Sequence, residues 1–471
     1  MNLLFEISGS DFSTHSGDYI TPADFIVFFI YLLPIFLIFF IIKRKNEDLN
    51  PAYKYFLSGF SVKILLGLVF TFIYLFYYQS GDGISYFWST RALCKLLIVD
   101  PKTALSIIFL DERTSENWRA FNNFTDFPLV SYYRGKDSFG VVRFTSFFMS
   151  AGFNLWLPTL LLLNVYLYRG IWKFFLLVNK FFPGNMKWNA ICILFVPSVL
   201  FWGSGIMKDS YTLSCSLWLV TNMYYCFIER KKFMNNFLML ILNGFILVTL
   251  KPYVFVAIIP AAMIWISFLY IKKIKNKALK FIATPGIIAL GVVAGLLILR
   301  IFASSLGTYG DSQSMLNQAQ VVQQDLIRGE QYGKNYYDIG KFDATIGGVL
   351  KKAPMAIIAG LYRPFLWEAR NPVMLISGLE NFTILIFSLF IIFRIGLKSV
   401  YKVIIKEPLI IFSFIFSFIF AFSVGLASAN FGALVRYRIL CEPFFLIALV
   451  STFYLIRKQS KEKTLEEIDL E

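Results

Sequence analysis

Histidine is almost absent from this chain, with His15 the only one in 471 residues, and it sits in an acidic N-terminal stretch. That scarcity excludes a histidine-ligated zinc centre and a histidine-based nucleophilic triad. Cysteine is sparse as well: there are five, with no CxxC pair. Cys192, Cys215, Cys226 and Cys441 fall in apolar runs, where a small buried hydrophobe is expected, and only Cys94 belongs to a polar stretch, so no disulfide framework is predicted. No GxxxxGK[ST] sequence occurs, which disfavours a directly ATP-driven machine. The first 24 residues carry Glu6, Asp11, Asp18 and Asp24 and no Lys or Arg, so no cleavable signal peptide is expected. Charged residues of all kinds make up only 16% of the chain.

What fills the space is hydrophobic: 57% of residues, with a mean hydropathy of +0.64. These values predict an all-α, polytopic transmembrane helical bundle rather than a soluble domain. The net charge of +16 does not point to nucleic acid, because the basic residues gather in six short connectors. Examples are Lys43, Arg44, Lys45; Arg230, Lys231, Lys232; and Arg457, Lys458, Lys461, Lys463. This is the positive-inside pattern and assigns those connectors to the cytoplasm. About eleven spans follow, near 25–42, 56–78, 150–168, 189–204, 210–228, 235–250, 253–271, 281–301, 374–393, 408–427 and 438–456. The N-terminus is then external and the C-terminus cytoplasmic. Residues 1–55 read as an external tail plus one added helix, 56–456 as the membrane domain and 457–471 as a cytoplasmic tail. Two long outer loops, about 78–150 and 302–372, are nearly balanced in charge, with 15 basic and 13 acidic residues.

The first loop opens on Gln79-Ser80-Gly81-Asp82-Gly83-Ile84-Ser85-Tyr86, where a single carboxylate follows directly on an apolar segment. A carboxylate at the mouth of a membrane cavity suits a substrate with one lipid end and one wet end. The competing reading makes Asp82 the N-cap of a helix over Ile84–Leu97. Tyr86, one turn on, would share its face. Beyond it come amphipathic stretches and an aromatic patch, Trp118, Phe121, Phe124, Phe127, Tyr132 and Tyr133, expected to lie in the interface.

The fourth and fifth spans are short and meet at Phe201-Trp202-Gly203-Ser204-Gly205-Ile206-Met207-Lys208-Asp209-Ser210, either irregular backbone lining a cavity or a plain hairpin with a snorkelling lysine. Leu250-Lys251-Pro252 puts another cation at the same level. The second loop has a Gln-rich segment, 313–331, read as a lid, and ends in Tyr362-Arg363-Pro364-Phe365-Leu366-Trp367-Glu368. There Arg363 and Glu368 either hold a phosphate or bridge the loop to its neighbours. Arg436 and Arg438 bracket Tyr437 before the last span, placed to grip a lipid phosphate or to anchor the interface. One carboxylate with several cations, Lys208, Lys251, Arg363, Arg436 and Arg438, suits group transfer from a lipid phosphate. The carboxylate accepts a proton from an acceptor hydroxyl and the cations stabilise the departing phosphate.

In that order of segments, Gly81-Asp82 and Tyr86, then Pro197-Ser198 through Lys208-Asp209, then Tyr362–Glu368, then Arg436-Tyr437-Arg438, the chain resembles bacterial membrane glycosyltransferases of the GT-C type over roughly residues 56–456. The resemblance implies a polyprenyl-phosphate-linked sugar donor, an acceptor glycan or lipid, inversion at the sugar, and a place in the inner membrane in cell-envelope glycan assembly. It also implies Asp82 as the catalytic carboxylate and Arg436 and Arg438 as donor-phosphate ligands. The chain departs from the family in placing Asp82 after the second span and in lacking a soluble outer domain. Asp111, Glu112, Glu116, Asp126 and Asp209 compete for the role of a second carboxylate, which leaves a divalent cation open as a cofactor. Alternatives are an oligosaccharide polymerase or ligase relying on the arginines, and a transporter or flippase of lipid-linked sugars. Transport needs charges deep in the spans, and Lys63 is the clearest of few.

Overall fold

A computed structural model describes residues 19–301, 345–370, 372–428 and 430–468, with a few single positions between 314 and 340, Tyr337 among them. The acidic tail with His15 and nearly all of the Gln-rich segment lie outside the described residues. Every regular element described is helical. The principal helices are α1 (Pro22–Glu47), α2 (Phe56–Phe72), α3 (Asp82–Val99), α4 (Lys136–Ala151), α5 (Trp156–Phe181), α6 (Met186–Leu194), α7 (Pro197–Trp202) and α8 (Lys208–Met223). They continue as α9 (Phe233–Leu250), α10 (Pro252–Lys273), α11 (Lys277–Ile301), α12 (Ile346–Tyr362), α13 (Pro372–Phe390), α14 (Pro408–Ala427), α15 (Phe431–Arg438) and α16 (Glu442–Ile468).

Among the described residues, eight helices are long and apolar enough to cross a bilayer, and nine if the bent pair α15–α16 counts as one span. The expected spans near 189–204 and 210–228 are the ones not among them. The former is divided into α6 and α7, nine and six residues long, and α8, which runs on through a π-helical turn to Glu229, carries Lys208, Asp209 and several Ser and Thr and so is less apolar. The crossing helices turn large side chains outward. α1 exposes Phe25, Ile26, Phe29, Ile30, Leu33 and Leu37, a continuous apolar face that water would not tolerate and acyl chains would. The chain is a multi-pass helical membrane protein.

The helices group into two units. One runs to Trp172 and adds Leu200–Cys215 and Thr249–Lys251. In it α3 packs along α4 and buries Tyr86, Phe87, Leu93, Cys94 and Leu96. The second unit comprises Lys173–Val199, Ser216–Val248 and Pro252 onward. Its closest pairing is α12 against α14, where Gly360 lies on the carbonyl of Ala421 and Gly425 on that of Ala356. Each helix thus carries an Ala-xxx-Gly pair that lets the backbones meet, the usual source of tight packing where lipid removes the hydrophobic drive between helices. α10 and α11 repeat the device, with Gly291 against Ser267 and Gly295 against Pro260.

Candidate functional site

Asp82 is the first residue of α3, and Gly81 takes the cap position with φ +118°. A side chain there would run into the ring of Tyr74, 2.7 Å from where its Cβ would be, so the turn that presents Asp82 needs glycine. The expected helix over Ile84–Leu97 is therefore present but begins two residues earlier. The partly exposed Asp82 carboxylate accepts a hydrogen bond from the Tyr132 phenol at 2.7 Å. The Tyr132 ring in turn meets Tyr86 edge-on at 5.0 Å. Tyr86 is buried, so it supports Tyr132 from behind. Neighbouring Gly83 lies against Met207 and the carbonyl of Ile206, which sets the start of α3 beside the segment leading into Lys208 and Asp209.

That segment is irregular backbone, several of whose carbonyls accept from side chains. Fully buried Lys63 donates to the Gly203 carbonyl at 2.6 Å and to Ser204 Oγ at 3.2 Å. Asn164 donates to the Ser204 carbonyl at 2.8 Å, and Ser210 to that of Gly205 at 2.7 Å. Non-helical backbone at membrane depth requires this kind of satisfaction. Gly205 presses on the Phe70 ring, leaving no room for a side chain.

Lys208 pairs with Asp137, which is half exposed. Lys251 pairs with Asp209, and both side chains are buried. Lys251 therefore does not reach out to solvent but is held by the Asp209 carboxylate. The other acidic residues of the loop separate by environment. Asp111 is clamped by Arg113 at 2.7 Å and Arg143 at 3.1 Å, and Arg143 also ties down the carbonyls of Ile108 and Phe109. Burial pulls the Arg143 guanidinium below its usual range, and Asp111 opposes that shift. Asp126 is held by Lys95, whereas Glu112 and Glu116 are exposed. The aromatic patch divides in the same way: Phe121 and Tyr133 are buried while Phe124 and Phe127 face outward. Burial pushes the Tyr133 phenol up to about 12, so it stays protonated and donates to the Thr114 carbonyl at 3.3 Å. Among the described residues no three His, Cys, Asp or Glu side chains converge as metal ligands would.

The second unit holds the remaining predicted residues. Arg363 bonds Glu368 at 2.9 Å and lies over the rings of Tyr337 and Phe365. Glu368 also accepts from the Phe365 amide at 2.8 Å, so the pair closes the turn within the loop itself. Burial pushes the Tyr337 phenol up, against the nearby Arg363 charge. Arg438, expected to face a phosphate, is buried, and its guanidinium donates to the Arg363 carbonyl at 2.9 Å and to that of Leu361 at 3.5 Å. It fastens the end of α12 to the break before α16. Arg436, one half-turn away, remains partly exposed. The structure therefore brings Asp82 and Tyr86 together with the approach to Lys208, Asp209 and Lys251. It brings Arg363, Glu368 and Arg438 together in the other unit.

Two carboxylates escaped the sequence reading. Glu380 in α13 and Glu442 at the start of α16 both reach Ser198 at the start of α7. The signal was present, since each is an isolated acid in an apolar run, which lipid makes costly. Lys63, Asp209, Lys251, Arg438 and Glu442 are buried and Glu380 partly so, which makes more enclosed charges than Lys63 alone. Comparisons of the chain with protein-family models, with curated proteins and with solved structures find no match.

Proposed function

We propose that the chain is an integral-membrane glycosyltransferase that moves a sugar from a polyprenyl-phosphate-linked donor to a glycan or lipid acceptor at the outer face of a bacterial inner membrane. The observation that carries this reading is the Asp82 carboxylate, glycine-presented at the start of α3 and oriented by the Tyr132 phenol, next to the segment that ends in Lys208. In the proposed step Asp82 accepts the proton of the acceptor hydroxyl as its oxygen attacks the anomeric carbon. The bond from that carbon to the phosphate oxygen breaks, and the electron pair leaves with the polyprenyl phosphate. A cation at the site, with Lys208 the nearest along the chain to the Gly83 contact, offsets the charge that develops there. The basic connectors support an external N-terminus and cytoplasmic C-terminus, with α6–α7 and α8 completing eleven passes.

The polymerase or ligase reading draws on Arg363, set between aromatic rings, and on Arg436. Purified protein in lipid, supplied with labelled polyprenyl-phosphate sugar and a panel of acceptors, separates the two. Single-sugar transfer that survives Arg436→Ala supports the transferase. Products that grow by whole repeat units, from a lipid-linked oligosaccharide only, and vanish in Arg436→Ala support the polymerase.

A further inference from the structure

Two helix interruptions of the second unit converge on one point. The first is the break between α6 and α7, which leaves Ser198 at the start of α7 with its backbone N–H directed at a side chain rather than at a helical carbonyl. That N–H donates to Glu380 Oε2 at 3.0 Å, and the Ser198 hydroxyl bonds the other Glu380 oxygen. The second is the 63° bend between α15 and α16, which sets Glu442 at the first position of α16. Ser198 Oγ lies 3.2 Å from Glu442 Oε2, so one hydroxyl bridges two carboxylates.

The charges facing this point do not balance. Glu380 and Glu442 together would carry two negative charges if both were ionised, and the cation beside them among the described residues is Arg438, whose Nε is 3.5 Å from Glu442 Oε2. The Arg438 guanidinium also donates to the carbonyls of Leu361 and Arg363 at the end of α12, while Cys441, next to Glu442, contributes a neutral thiol. Glu442 is 2% exposed, yet its Oε1 has no hydrogen-bond partner. A carboxylate pair with Glu442 buried and Glu380 partly so, faced by one guanidinium, leaves a net negative charge when both are ionised, and enclosing such a charge uncompensated is costly. Glu380 also lies on the wall of a cavity of about 1140 Å³, lined by Pro197, Ile376, Thr383 and Leu446 among others, so this side of the pair is reachable from outside the packed core. Carboxylates and free backbone groups meeting where helices are interrupted are the features with which membrane proteins bind small cations.

We infer that Glu380, Glu442 and Ser198 form a binding site for one monovalent cation, a proton or an alkali-metal ion, held between the interrupted helices. The site is independent of the transferase reading, and it gives this chain a means of linking cation occupancy to the arrangement of α7, α13 and α16.

The test is infrared spectroscopy of the wild-type protein in lipid at neutral pH, in choline chloride and then with sodium or potassium chloride at equal ionic strength. Glu380→Gln and Glu442→Gln serve as assignments, since glutamine copies the shape and neutrality of an occupied carboxyl. A protonated-carboxyl band in choline that is lost in either variant identifies the proton. Carboxylate bands that shift on adding sodium or potassium, saturably and only where both glutamates are present, identify the metal ion. A wild-type protein with neither a protonated-carboxyl band nor any response to the alkali salts overturns the inference, and that result needs no variant to fold.

Discussion

At the residue scale, the buried Lys251–Asp209 pair is worth more for what its disruption would do than for what it adds. Two charges taken out of water recover little net energy, but removing one leaves the other stranded. Lys251→Met is expected to cost about 3–5 kcal/mol, and Lys251→Met combined with Asp209→Leu to recover most of it. Thermal unfolding in detergent would read both. Lys63 plays a related part: its ammonium answers the carbonyl that the break at Gly203 leaves open, and the break was legible in the glycines while its partner, 140 positions away, was not. The same holds for Asp82. Its place at the end of an apolar run was readable, but nothing local pointed to Tyr132, 50 residues on, as the group that orients it. Cys94 carries a pH prediction. Burial raises its thiol from 9.0 to about 11, so the folded state favours the protonated form. That contribution to stability is whole below pH 9 and is lost as pH rises toward 11. Alkylation of the Cys94 peptide, followed by mass spectrometry, should be negligible at pH 8 in the folded protein and fast after denaturation. Ready labelling at pH 8 without unfolding would show that the thiol is not enclosed.

At the scale of elements, packing in the second unit depends on backbones that touch. Gly425 meets the Ala356 carbonyl and Gly360 the Ala421 carbonyl, so any side chain at either glycine must push α12 and α14 apart. Gly425→Leu is expected to destabilise by more than the 1–3 kcal/mol of ordinary overpacking, because carbonyl oxygens and not pliable side chains are in the way. Unfolding midpoints compared with those of Gly286→Leu, where nothing lies within 4 Å of the added Cβ, check it. Equal loss at the two sites would contradict the packing account. The Ala-xxx-Gly spacing stood in the sequence unremarked, since small residues in an apolar run give no sign of which neighbour they face. Helix positions were better signalled. The apolar runs near 56–78, 235–250, 253–271, 374–393 and 408–427 each lie within or nearly coincide with a membrane-length helix, because twenty uncharged residues leave few alternatives. The run near 189–204 misled for a physical reason: Pro197, which cannot donate a helical hydrogen bond, starts a new helix in the middle of it.

At the scale of the whole molecule, composition alone made the helical membrane class legible, and basic connectors supplied a proposed orientation. The candidate site was legible as a set of residue types more than as a set of contacts. Lys208, Asp209 and Lys251 were marked as cations and an acid at one level, and two of them turned out to be each other's partners. Arg438 was marked for a phosphate and is instead fastened to backbone carbonyls. What sequence could not supply was which charges are already satisfied. Of the acidic residues weighed in the first loop, Asp111 and Asp126 are taken up by Arg113, Arg143 and Lys95, and Asp82 is the one presented by a glycine turn and held by a phenol.

The central claim is that Asp82 takes a proton in the transfer step. The most direct measurement is the rate of sugar transfer from a polyprenyl-phosphate donor by wild type and by Asp82→Asn, with donor binding measured on the same preparations. The account predicts a fall in turnover of about 10²–10⁴-fold with donor affinity nearly unchanged, since asparagine keeps the shape and the contact with Tyr132 but cannot accept the proton. Turnover in Asp82→Asn equal to that of wild type would contradict it and leave Asp82 a helix-terminal residue of structural value only.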